Sequence, residues 1–126
     1  MTIITTDGAV AELLEVVPEL KQDYETELNL WKGEKPGAHI IFGNVLNPYL
    51  ISQLQMGEEK TLNRIFDFLE HLATKGDNHV QEVIATTVCE GLGDNAATLE
   101  KARVYMGTQT TRLSQAIETF WTWKTD

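Results

Sequence analysis

Apolar residues recur at intervals of three and four along nearly the whole chain, the spacing of one helix face, and almost no segment alternates as a strand would. Asp7 is placed to cap a first helix carrying Val10, Leu13, Leu14 and Val17. Pro18 opens a second that runs to about Trp31, with Glu19 and Asp23 at the positive end of its dipole. The stretch 32–37 holds two glycines and a proline and reads as a loop. Ile40, Ile41, Phe42, Val45 and Leu46 fit a short apolar helix or a brief strand, the helix being favoured, after which Asn47-Pro48 looks like a cap and first-turn proline opening a separate helix that Gly57 ends. Leu62, Ile65, Phe66, Leu69, Leu72 and Ala73 form one stripe from Glu58 to about Lys75, closed by Gly76. Val80, Val83, Ile84, Thr87, Val88 and Leu92 form the next, capped by Asp77 or Asn78 and ended by Gly91 and Gly93. A helix with Leu99, Ala102 and Met106 follows Asp94 or Asn95, and a last one with Leu113, Ala116, Ile117 and Phe120 starts at Thr108 or Thr110.

About seven helices are therefore expected, in an all-α domain spanning residues 1–126 without an internal linker. Two arrangements fit: an irregular closed bundle, or a HEAT-like stack of helical hairpins. The second draws on a weak repeat, since Gly76-Asp77-Asn78 recurs as Gly93-Asp94-Asn95, and stacked helical repeats join their units by such capped turns.

Charge changes the picture more than composition does. Ten Lys and Arg face nineteen Asp and Glu across 126 residues, a formal charge of −9. The 42% apolar content is that of a folded domain, so the acidity belongs on the surface. A field of that sign repels phosphate backbones and anionic lipid, which disfavours direct binding to nucleic acid or membrane and favours a basic protein partner. The first eight residues have neither a basic leader nor a long apolar core, and no apolar run approaches the roughly 20 residues of a membrane span, so a cytoplasmic protein is expected. The lone Cys89 sits among Val83, Ile84 and Val88 and reads as a buried thiol.

Candidate chemistry is sparse. The chain has no phosphate-cradling glycine loop, nucleophile elbow or His-Glu-x-x-His, and His39, His71 and His79 lie in different segments. No catalytic, cofactor-binding or metal-binding residues are assigned, and a non-enzymatic role is expected. What stands out is acidic. Spaced i, i+4, i+8, Glu82, Thr86 and Glu90 share one row on the outer side of the 80–92 helix, which Asp94 extends, while Asp67 and Glu70 lie on the polar side of the preceding helix. With Trp123, a candidate aromatic anchor near the C-terminal end, these residues form the expected partner-binding set.

The runs Arg64-Ile65-Phe66-Asp67-Phe68-Leu69-Glu70, Asp77-Asn78-His79-Val80-Gln81-Glu82-Val83, Glu90-Gly91-Leu92-Gly93-Asp94 and Ala102-Arg103-Val104-Tyr105-Met106-Gly107 resemble a group of small all-helical bacterial proteins associated with contact-dependent growth inhibition and other polymorphic toxin systems. The resemblance covers roughly residues 12 to 120, and its motifs are helix stripes, caps and turns. It implies an immunity protein that binds and neutralises a cognate toxin domain, often a nuclease and in a narrower reading an EndoU-like ribonuclease. A HEAT-like adaptor or scaffold unrelated to toxins is the alternative.

Overall fold

The computed structural model describes the backbone of residues 3–125 and the side chains of residues 3–120. Seven helices and no strands are found among them. α1 is Thr6–Val16; a 3-10 turn at Pro18–Leu20 leads into α2, Lys21–Leu30. α3 runs unbroken over residues 38–56, α-helical at Ala38–Ile41, π-helical at Phe42–Leu46 and α-helical again at Asn47–Met56. α4 is Glu59–Lys75. α5 repeats the pattern of α3 over residues 78–93, with a π segment at Ile84–Cys89 between Asn78–Val83 and Glu90–Gly93. α6 is Ala96–Arg103 and α7 is Thr108–Thr125.

The helices close on one another as an irregular bundle. α1 packs on α3, α4 and α5, α6 meets the C-terminal half of α3, and α7 lies across α4 and the π segment of α5. A stack of successive hairpins would confine each helix to its neighbours in sequence, so the open HEAT-like arrangement does not describe this chain. One core joins Leu13 of α1, Phe42, Leu46 and Leu50 of α3, Leu62, Ile65, Phe66, Leu69 and Leu72 of α4, and Val80, Ile84, Val88 and Leu92 of α5. Ile4 adds an isolated parallel bridge to Gly76, donating to the Lys75 carbonyl and accepting from the Asp77 amide, each at 2.9 Å.

Helix boundaries follow local chemistry with instructive departures. The first cap is Thr5, whose Oγ1 accepts from the Gly8 amide, whereas Asp7 sits inside the first turn and pairs with Lys35 at 3.0 Å. Asp77 caps α5 through the Val80 amide at 2.9 Å and Asn95 caps α6 through the Thr98 amide at 3.1 Å. The repeated Gly-Asp-Asn turn thus caps through its aspartate in one copy and its asparagine in the other. Gly57 stops α3 at φ +69°, a left-handed position that favours glycine.

Asn47-Pro48 opens no new helix. A proline inside an α-helix lacks the N–H that would bond the carbonyl four residues back, and its ring crowds that carbonyl. The wide π turn at Phe42–Leu46, just before Pro48, loosens the register where this conflict falls, and the chain continues. Asn47 is 8% exposed and faces α5, donating from Nδ2 to the Thr87 carbonyl at 3.0 Å. Gly91 lies beneath it; a Cβ there would stand 2.5 Å from Nδ2. His39 and Thr87 share a side-chain hydrogen bond of 2.6 Å beside this crossing.

α7 also departs from its expected stripe. Thr110 and Ser114 are buried and Leu113 and Ile117 half-buried, while Ala116 and Phe120 are exposed, so the helix docks through a small, partly polar face.

Candidate functional site

The acids divide into those that hold the bundle together and those that do not. Glu19 Oε2 accepts from the Tyr49 hydroxyl at 2.7 Å and from Arg64 at 2.5 Å, joining the 3-10 turn to α3 and α4. Against the effect of partial burial, these donors hold the Glu19 carboxyl below its usual range. Burial, with Glu19 opposite, pushes the Tyr49 phenol up to about 12. Glu27 Oε2 accepts from Trp31 Nε1 at 2.9 Å and from Asn44 Nδ2 at 3.3 Å, tying α2 to the π segment of α3.

Glu70 is the most fully engaged. Its Oε1 accepts from the Thr110 amide and hydroxyl, each at 2.9 Å, and its Oε2 from the Gln109 amide at 3.0 Å. A side chain of α4 thus caps α7 and meets the positive end of its dipole. Partial burial disfavours the charge, but these amides outweigh it and hold the carboxyl below its usual range. Gly107 leaves room for this carboxylate, which a Cβ would strike. Glu70 thus serves the fold, although its place on the polar side of α4 suggested a partner contact.

Among the described residues, Asp67, Glu82, Glu90 and Asp94 enter no side-chain hydrogen bond or ion pair. Between Lys75 and Lys101 the chain holds Asp77, Glu82, Glu90, Asp94 and Glu100 and no Lys or Arg, so the surface of α5 and its exit turn carries acids without local counter-ions. The expected row is bent. The π segment falls between Glu82 and Glu90 and widens the turn, so residues eight apart no longer lie in line. Glu82 and Thr86 remain adjacent and exposed, with the Thr86 hydroxyl donating to the Glu82 carbonyl at 2.8 Å. Glu90 is half-buried and lies with Asp94 farther along. Asp67 is exposed on α4, and the Trp123 side chain lies outside the described residues.

Glu90 and Asp94 border a cleft of about 470 Å³ between the end of α5, the start of α6 and α7. Its apolar lining comes from Cys89, Ala96, Leu99 and Ile117, and Glu118 of α7 completes its acidic side. A second cleft of about 600 Å³ also has Glu118 in its wall and extends along α7 past Arg103 and Met106. Glu118 pairs with Arg103 through Oε1 and accepts from the Ser114 hydroxyl through Oε2 at 3.4 Å. Cys89 is 2% exposed; burial, with the Glu118 charge adding to it, pushes its thiol up to about 12, so the thiol stays protonated and unreactive. Glu118 and Ile117 escaped the sequence reading because they lie more than twenty residues beyond Glu90 and Asp94. No local pattern announces that α7 folds back over this corner.

The described histidines do not converge. His71 Nε2 lies 3.6 Å from Glu12 Oε1, His39 bonds Thr87, and His79 is exposed. No group of three or more His, Cys, Asp or Glu side chains able to hold a metal ion occurs among the described residues, and no helix there is long and apolar enough to cross a membrane.

Fold and site together define a small all-α bundle with an acid-lined cleft where its last three helices meet. The chain belongs to the family described as a domain of unknown function, DUF7674, whose pattern matches residues 10–122. Comparison with curated proteins and with solved structures finds no match in either.

Proposed function

We propose that this protein is a cytoplasmic immunity protein that binds a basic toxin domain, most readily a nuclease such as an EndoU-like ribonuclease, and neutralises it by stoichiometric occlusion without turnover. One observation carries the reading: residues 76–100 hold five acids and no Lys or Arg, and Glu82, Glu90 and Asp94 on one helix and its exit turn enter no ion pair, while Glu19, Glu27 and Glu70 are committed to holding the bundle together. A nuclease presents a cationic groove to phosphate, and an acidic surface of fixed shape competes for that groove, with steering that speeds encounter. The closed packing of the helices around one core suits docking with little rearrangement.

The test is to mix the purified protein with the toxin domain encoded immediately upstream of its gene, and to co-express the two. A one-to-one complex at micromolar concentration and protection of the expressing cells are expected. Charge reversal at Glu82 and Glu90 should slow association and flatten its dependence on salt. Absence of any complex, together with unprotected cells, would overturn the reading.

A further inference from the structure

The geometry points to the cleft between the end of α5, the start of α6 and α7 as the seat of a single arginine side chain from the basic partner, held by Glu90 and Asp94 over an apolar floor of Leu99 and Ile117. This inference rests on the proposed binding role and assigns it a place. Three observations converge.

The first is shape. A cavity of about 470 Å³ with an apolar floor fits a chain of methylenes ending in a planar cation better than it fits a flat protein surface. The second is electrostatic. The C-terminal end of a helix carries partial negative charge and is ordinarily matched by Lys, Arg or His, yet the last turn of α5 has no basic residue and instead carries Glu90, with Asp94 at its cap. That helix end is left without its usual basic match, and a cation from outside supplies it.

The third is a precedent inside the molecule. Arg103 already lays its guanidinium against Glu118, the carboxylate shared by this cleft and the next, so one guanidinium is recognised at the boundary while Glu90 and Asp94 remain without a partner. The charge of the cleft therefore selects a cation, and its apolar floor selects one with an aliphatic stem. A planar fork suits two neighbouring carboxylates better than a compact ammonium does.

Two measurements test this. In an amide-resolved NMR titration with N-acetyl-argininamide, shifts should concentrate at Cys89, Glu90, Asp94, Leu99 and Ile117, and N-acetyl-lysinamide should bind several-fold more weakly. In the second, affinity for the upstream toxin domain is compared across variants. E90Q/D94N should weaken it at least about tenfold, and A96R, placing a guanidinium of the protein's own at an exposed rim position, should block the cleft to a similar degree. D67N should change affinity less than about threefold. Thermal melting confirms that each variant folds; were E90Q/D94N to melt early, A96R would decide alone. Wild-type protein that binds the toxin with affinity unaltered in E90Q/D94N or A96R would overturn this inference and leave the proposed function standing. Wild-type protein that binds no toxin would overturn the function, and shifts absent from the cleft in the titration would then overturn the arginine seat as well.

Discussion

Glu70 makes one residue responsible for the start of a helix it does not belong to. Glu70→Ala leaves the Gln109 and Thr110 amides without their acceptor and should cost about 1–2 kcal/mol, in line with the loss of an N-cap. Glu70→Gln keeps one acceptor oxygen and should fall between the two. The folded carboxyl sits below its ordinary 4.5, so its contribution is present above that value and is lost as the pH falls through the lower folded value. Urea denaturation of wild type and Glu70→Ala should thus differ near neutral pH and converge in strong acid; a gap that persisted there would mean packing, not charge, underlies the effect. The cap was not legible in the sequence because its partners lie 39 and 40 residues away. A carboxylate on the polar side of a helix looks the same whether it meets solvent or another helix's amides. Asp67 and Glu82 are exposed, as their places on the outer sides of their helices predict.

Among the elements, α4 was the most legible, its six predicted stripe residues all lying in the interior. A regular period of three and four read correctly there because the helix is regular. The apolar stripes of α3 and α5 also lie in the interior, from Ile41 to Leu46 and from Val80 to Leu92; what misled was the break expected at Asn47-Pro48 and the straight row from Glu82 to Glu90, because each helix carries a π turn of which the sequence gives no sign. The crossing of these helices supplies a test at this scale. Asn47→Ala should cost about 1–3 kcal/mol because the Thr87 carbonyl loses a buried donor. Gly91→Ala should cost about as much, since its methyl meets the Asn47 amide. The double variant should be less destabilised than the sum of the two, because removing the amide makes room for the methyl. In a double-mutant cycle followed by denaturation, strict additivity would refute this account of the contact.

For the molecule as a whole, the charge of −9 opposes compaction while the ion pairs at its surface add little. Raising ionic strength from about 0.01 M to about 0.15 M shortens the screening length from roughly 30 Å to roughly 8 Å. Self-repulsion should weaken more than the exposed pairs do, and relief of about 1 kcal/mol would raise Tm by about 4 °C for a chain of this size. A melting temperature that fell with added salt would show that the pairs outweigh the repulsion. The closed packing of α7 against α4 and α5 was beyond reach of the sequence, since a weakly apolar helix gives no hint of which neighbours it covers.

That packing also sets an order of assembly. α7 docks through a face that is partly hydroxyl, and the carboxylate that caps it comes from α4, so neither its burial nor its first turn is secured until α4 and α5 have come together. During synthesis the ribosome delivers this helix after the surface that receives it. Loss of α7 alone would therefore remove the wall that Ile117 and Glu118 give the cleft.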